Sequence, residues 1–233
     1  ATVGSGATLL VNGSLGNAVT VNAGGTLGGN GSVGNLLING GTLSPGNSIG
    51  TLTVQGSLTF TAASTYLVEV SAVASDRTNV TGAATLGGAT VNASFTGNTF
   101  QKQYTILNAA GGVSGTFGGP VNSNLPSNFS SSLSYDANDA YLDLALSYAV
   151  PSGLNRNQQA VADALTDFFN RNGGIPAVYG ALTPAGLTQA AGESGTAAQQ
   201  ATFDAMGRFV GLLTAPTPRS LAHTGSASGF ADD

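Results

Sequence analysis

The chain has 233 residues, and only 7% of them are charged, against roughly 25% in an average soluble domain. The net charge of −5 and the six basic residues scattered along the chain exclude the basic stripe that nucleic acid binding needs. Cysteine is absent, which excludes disulfides and thiolate metal sites, and no apolar run approaches the roughly 20 residues of a membrane-spanning helix.

The first predicted elements come from an internal repeat. "NGSLGNAVTVNAGGTL" (12–27) aligns with "NGSVGNLLINGGTL" (30–43), and residues 46–60 keep part of the same unit. A unit of roughly 16 to 18 residues fits one coil of a right-handed parallel β-helix, because a single coil cannot bury its apolar face without neighbours. The residues predicted to face the shared interior are Leu15, Val19, Val21, Leu27, Val33, Leu37, Leu43, Ile49, Leu52, Val54, Leu58 and Phe60.

Longer alternating strands follow residue 60. In "TYLVEV" (65–70), Tyr66, Val68 and Val70 are predicted on one face, with Leu67 and Glu69 on the other. The alternation predicts a continuation of the β structure with wider strands.

An antiparallel cap is predicted at residues 97–148. In "QYTILN", Tyr104 and Ile106 are expected to face its interior and Thr105 to face outward. Residues 131–146 predict a hairpin whose turn lies at 136–139. Such strands would close the end of a β-helix, which otherwise exposes unpaired edges.

Charged residues mark the next boundary. Glu69 is the only one in residues 1–75, whereas seven lie in residues 156–208, and Pro151 and Gly153 stand before them. Residues 149–213 are predicted to be helical.

Three helical patterns occur in this region. The first has an apolar stripe that ends at Gly173 and Gly174, and the second begins with Thr183 as N-cap and Pro184 as first helical residue. The stripe of the first pattern consists of Val161, Leu165, Phe168 and Phe169, and a third pattern has a stripe of Phe203, Met206, Val210 and Leu213. These helices are expected to pack on each other or on the β part, with occupation of a barrel pore as the alternative. Residues 214–233 have the composition of a flexible tail.

Sequence motifs for chemistry are incomplete. "GNGSVG" (29–34) has dinucleotide-binding spacing, but no helical pattern follows it, so it is interpreted as a β-helix corner. "GGNGSV" (28–33) carries Val33 where a calcium-binding nonapeptide has Asp, and "GESGT" (192–196) lacks the last Gly of a nucleophile elbow. The only histidine, His223, lies in the predicted tail.

The acidic residues are also interpreted structurally. Asp136 and Asp139 are predicted to be turn residues, Asp143 an outward strand residue, and Asp76 with Arg77 a turn or surface pair. The sequence therefore predicts no catalytic, cofactor-binding or metal site, and no cofactor.

Residues 24–54, with two "GGTL" copies and "SPGNSIGTL", resemble the passenger-associated transport repeat of bacterial autotransporters. Residues 64–91, 103–117 and 125–146 resemble the autochaperone-like end of the passenger. The resemblance implies type V secretion in a Gram-negative bacterium. The partner that it implies is the protein's own C-terminal outer-membrane β-barrel, outside this sequence, and the implied location is the cell surface or the extracellular space.

The predicted function is therefore that of a non-enzymatic passenger segment, a stalk and folding nucleus for surface display. The predicted parts are a β-helix stalk (1–96), the cap (97–148), a helical linker region (149–213) and the flexible tail (214–233). Two alternatives stay open: an adhesin-type module that binds a host-cell or matrix surface, and a carrier stalk for an upstream enzyme. Neither nucleic acid nor a small-molecule substrate is expected as a partner.

Overall fold

The computed structural model describes residues 1–149, 153–192 and 202–211. The strands are β1 (Thr2–Val3), β2 (Thr8–Leu10), β3 (Ser14–Leu15), β4 (Val19–Asn22), β5 (Thr26–Gly29), β6 (Ser32–Val33), β7 (Leu36–Asn39), β8 (Thr42–Pro45), β9 (Thr51–Val54), β10 (Leu58–Phe60), β11 (Thr65–Val70), β12 (Arg77–Val80), β13 (Ala84–Thr85), β14 (Thr90–Phe95), β15 (Thr99–Phe100), β16 (Gln103–Ala109), β17 (Val113–Ser114), β18 (Gly119–Ser123), β19 (Phe129–Tyr135), β20 (Asp139–Leu146) and β21 (Ile175–Pro176). The helices are α1 (Arg156–Asn172), a 3-10 helix (Ala177–Ala181) and α2 (Pro184–Ala190). Residues 202–211 form a further helix, which belongs to a second compact unit, 192–233, separate from the unit formed by residues 1–191.

Most strands belong to three sheets that the chain visits in turn. Sheet A has the order β1-β4-β7-β10-β13-β17, sheet B the order β2-β5-β8-β11-β14-β18, and sheet C begins β3-β6-β9-β12-β16. Neighbouring strands in these runs are parallel, as in the pairing of Thr8 with Thr26 and of Thr26 with Thr42. The predicted mainly β class with stacked parallel strands is confirmed. We call these sheets the stack, and one passage through all three a circuit.

The circuits lengthen along the chain. Ser14 and Ser32, which bond to each other in adjacent circuits, are 18 residues apart, whereas Thr85 and Ser114 are 29 apart. The predicted unit of 16 to 18 residues therefore describes only the first circuits. In sheet B the strands lengthen as well, from three residues in β2 to six in β11 and β14.

The interior of the stack is filled by alternate residues of its strands. Most of the predicted interior residues are buried, and so are Tyr66, Val68 and Val70. Leu37 was predicted wrongly, because it is 37% exposed while Leu36 and Ile38 on either side are buried. The residues confirmed as buried are Val19, Val21, Leu27, Val33, Leu43, Leu52, Val54, Leu58 and Phe60, whereas Leu15 and Ile49 are half-buried.

The "GNGSVG" segment (29–34) contains the last residue of β5, the corner at 30–31 and strand β6, and strand β7 follows it. Gly29 has a φ of 106°, a backbone conformation that residues with a side chain rarely adopt. A Cβ at Gly31 would overlap the carbonyl oxygen of Gly13 in the preceding circuit. Glycine is needed here because successive circuits approach closely.

Helix α1 begins and ends at recognisable signals. Asn155 caps its first turn in a capping box with Gln158, and Gly173, with a φ of 67°, ends it. The predicted N-cap Thr183 of α2 is confirmed, with Pro184 as its first residue. No helix among the described residues is long and apolar enough to cross a membrane. The predicted tail, 214–233, and Leu213 lie outside the described residues.

The first helical stripe is only partly correct. Phe169 is fully buried, and Leu165 packs against the core. Phe168 was assigned to the wrong face, since it is 53% exposed. In the helix at 202–211, the side chains of Phe203, Met206 and Val210 are exposed.

Candidate functional site

One end of the stack is closed by elements that depart from the parallel pattern. Strand β16 pairs antiparallel with β20, and β20 pairs antiparallel with β19, so sheet C ends in a hairpin. Strand β15 pairs antiparallel with β21, which follows helix α1. We call these elements, β15, β16, β19, β20, β21 and α1, the closed end.

The hairpin of the closed end turns as the sequence predicts. Asp136 Oδ1 accepts hydrogen bonds from the backbone N–H groups of Asn138 and Asp139, each at 2.8 Å. Its Oδ2 accepts one from the Tyr141 hydroxyl at 2.8 Å. These three hydrogen bonds lower the pKa of Asp136, and the bond from Asn138 contributes most, before those from Tyr141 and Asp139. This carboxylate therefore stabilises a turn.

A β-bulge at Ile106 joins the hairpin to the stack. The register between β16 and β20 shifts between Thr105 and Leu107, and a bulged residue loses its place in the ladder. The carbonyl oxygen of Ile106 accepts a hydrogen bond from the Tyr66 hydroxyl, which also bonds to Thr78 Oγ1 at 3.0 Å. Tyr66 and Thr78 are fully buried, and burial raises the pKa of the Tyr66 phenol far above its usual range. This network satisfies a main-chain group that the bulge would otherwise leave unpaired.

Aromatic rings connect the last circuits to helix α1. The ring centroids of Phe95 and Phe100 are 5.4 Å apart, those of Phe100 and Phe129 are 5.5 Å apart, and those of Phe129 and Phe169 are 5.0 Å apart. All three pairs meet edge to face, a favourable arrangement for aromatic rings. Gly180 is required beside them, since a Cβ there would overlap the ring of Phe129.

Helix α1 also completes the hydrogen bonding of strand β20. The Leu146 N–H donates to Asn170 Oδ1 at 3.0 Å, and Asn170 Nδ2 donates to the Leu146 carbonyl oxygen at 3.2 Å. Gln158 links α1 to α2 through a bond to Thr188 at 2.9 Å. The predicted packing is confirmed for α1, which contacts both α2 and the β part.

Asp76 is buried at the start of β12, with 1% of its surface exposed. Its Oδ1 accepts from the Gly50 N–H at 2.8 Å, and its Oδ2 accepts from the Glu69 N–H at 2.9 Å. Burial raises the pKa of Asp76 from 3.8 to about 6, although the two hydrogen bonds act in the opposite direction. The prediction of a surface pair is wrong: the carboxylate ties two neighbouring circuits together inside the protein.

The remaining predicted positions do not converge on a reactive centre. Asp139 accepts from Asn108 at 2.9 Å, and Asp143, on the outward face of β20, accepts from Gln103 at 2.7 Å. Within the described part of the chain, no group of three or more metal-binding side chains occurs. Residues 193–196 of "GESGT" and His223 lie outside the described residues.

Sequence reasoning missed three features of the closed end: the Tyr66 network, the Asn170 contact and the capping box of α1. Only the last had a sequence signal, the N-x-x-Q pattern at 155–158. Comparison with known protein families gave no match, and a search of curated proteins found no similar sequence.

Proposed function

We propose that the stack is a right-handed parallel β-helix and that the chain is the non-enzymatic C-terminal part of an autotransporter passenger. In this role it is a stalk whose closed end acts as a folding nucleus, for secretion and display on the cell surface through the outer-membrane barrel of a longer parent protein. Two things support the proposal: the motifs at residues 24–54, 64–91, 103–117 and 125–146, and the difference between the early and the late circuits of the stack. The right hand follows from the strong preference of parallel crossovers.

The observation that carries the proposal is the gradient of order along the stack. No aromatic residue precedes Phe60, and all ten Phe and six Tyr lie from there onward. Strands β1 and β3 have two residues each, whereas β16 has seven and β20 has eight. The longest ladder, the seven residue pairs of β19 and β20, therefore lies in the closed end, and all the aromatic residues lie from Phe60 onward.

Such a gradient favours folding from the closed end toward the N-terminus. Ordering a residue costs roughly 1–2 kcal/mol of backbone entropy, so a first circuit is unfavourable until its side chains are buried. A circuit that adds to an ordered end gains hydrogen bonds and burial at once. Stepwise addition outside the cell would draw the remaining passenger through the barrel.

A matched pair of substitutions tests this nucleus. Ile106 is fully buried and Thr105 beside it is half-buried on the outward face. Ile106→Asp places an unpaired carboxylate in the core, which costs several kcal/mol, whereas Thr105→Asp should have little effect. In the full-length parent, flow cytometry against an upstream epitope should show reduced display for Ile106→Asp alone, with normal barrel insertion on a membrane blot. Equal display of both variants would contradict the proposal.

A further inference from the structure

A notch interrupts sheet C where strand β12 begins. Strand β12 pairs with β16 only over Leu107–Ala109, so the first residues of β16 have no strand beside them on that edge. The chain reaches β12 through a turn closed by the Ser71 N–H and the Ala74 carbonyl oxygen at 2.8 Å. A solvent-accessible cavity of about 320 Å³ remains, lined by residues that include Thr51, Val73, Ser75, Arg77, Gln103 and Thr105.

The notch contains one charge, and it is positive. Arg77 is the only charged residue in its lining. Among the described residues the ion pair present is Arg171 with Asp167, so the Arg77 guanidinium has no carboxylate partner there. Arg77 and Lys102, which precedes the lining residue Gln103, are also the only basic residues before Arg156. A guanidinium presents parallel N–H donors that match a carboxylate.

Two of the acidic groups near the notch are already engaged. Asp76 is buried, and its two oxygens accept from the backbone of Gly50 and Glu69 at 2.8 and 2.9 Å. Asp143 accepts from Gln103 Nε2 at 2.7 Å. The positive charge of the notch is thus available to a ligand.

The rest of the lining matches a polyhydroxylated molecule. Thr51 lies opposite Arg77 in the register of β9 and β12, and Ser75 Oγ donates to the Thr105 carbonyl oxygen at 3.4 Å. Because Gln103 Nε2 is bonded to Asp143, its Oε1 is left as an acceptor. Hydroxyl groups both donate and accept, and Val73, 81% exposed, provides an apolar rim.

We propose that this notch binds one residue of a carboxylated saccharide, such as a hexuronic acid. The carboxylate lies on the Arg77 guanidinium, and the sugar hydroxyls bond to the side chains of Thr51 and Thr105 and to Gln103 Oε1. The cavity volume falls at the small end of ligand sites, which suits a single sugar ring. This site does not depend on the secretory proposal, and either can fail without the other.

The test uses methyl glucuronide as the probe and methyl glucoside, which lacks the carboxylate, as its neutral match. In a two-dimensional NMR titration of the full chain, the glucuronide should shift the amide signals of Thr51, Ser75, Arg77, Gln103 and Thr105. The glucoside should bind at least about tenfold more weakly, the difference expected for one charge-assisted contact.

Two substitutions then test whether the positive charge of Arg77 binds the carboxylate. Arg77→Gln should abolish the shifts caused by the glucuronide, while Arg171→Gln, which changes an exposed arginine elsewhere, should leave them intact; circular dichroism checks that both variants fold. Equal affinity for the two sugars, unchanged binding by Arg77→Gln, or no response to the glucuronide would overturn the proposal. An equal affinity for acetate would show a general anion site and would also overturn it.

Discussion

Phe169→Ala tests whether helix α1 is part of the folded β structure. The Phe169 side chain is fully buried, and its ring meets that of Phe129 at 5.0 Å and 71°. Removing a buried Phe side chain costs about 3–5 kcal/mol, of which the edge-to-face contact accounts for roughly 0.5–1.5 kcal/mol. We expect the free energy of unfolding to fall by that total.

The adjacent Phe168 provides the control, because it lies in the same helix and is 53% exposed. Both Phe→Ala changes raise helix propensity equally, so this contribution cancels in the comparison. Phe168→Ala should therefore change stability by less than about 0.5 kcal/mol.

Urea unfolding followed by circular dichroism measures both variants, with tyrosine fluorescence as the second probe because tryptophan is absent. The signals of helix and strand should shift to lower urea together in Phe169→Ala. If the helical signal alone were lost while the β transition kept its midpoint, α1 would be a separable linker. Equal destabilisation by both substitutions would also refute the packing argument.

Three further predictions concern the stack. Tyr66→Phe leaves the Ile106 carbonyl oxygen and the Thr78 hydroxyl without the Tyr66 partner. The free energy of unfolding measured in urea should therefore fall by about 1–3 kcal/mol, and a change near zero would contradict the role of the network. The pKa of Asp76 is about 6 in the folded chain against 3.8 in the unfolded chain. Between these pH values the Asp76 carboxyl is protonated in the folded chain but not in the unfolded chain, so the stability of the fold should fall as pH rises from 4 to 6. In thermal melts at pH 4.5 and 7, Asp76→Asn should remove this dependence of stability on pH. The same dependence in the variant and the original chain would exclude Asp76 as its source. In hydrogen exchange followed by mass spectrometry, the amides of β1–β8 should exchange before those of β16 and β20, which should stay protected longest. The reverse order would contradict the gradient.

Local pattern was sufficient where strict alternation or a turn signal was present. Tyr66, Val68 and Val70 are buried and alternate with half-buried positions, and their faces were predicted correctly. The hairpin turn at 136–139 carries its own determinant, because the Asp136 carboxylate closes it through local hydrogen bonds. Such features need no information from distant residues.

Pattern failed where two faces were equally apolar. "LLIN" offers three successive apolar residues, and pairing of β7 with β4 and β10 places Leu36 and Ile38 beside inward residues, which leaves Leu37 outside. Phe168 and Phe169 are likewise adjacent, and the contacts of α1 with distant elements, among them the Phe129 ring, place Phe169 inside. The burial of Asp76 could not be predicted from the local sequence either, since its partner Gly50 is 26 residues away.

The charge distribution supports the proposal that the stack folds from its closed end. Strands β1 to β10 contain no charged residue, because the first one in the sequence is Glu69. Natural proteins usually protect exposed strand edges with charges or proline, and among these ten strands only β8 has either, at Pro45. Uncharged segments of high β propensity aggregate when they are exposed together before folding. If these circuits instead add one at a time to an ordered template, each edge is free only until the next circuit pairs with it, so the direction of folding would provide the protection that the sequence of these strands lacks.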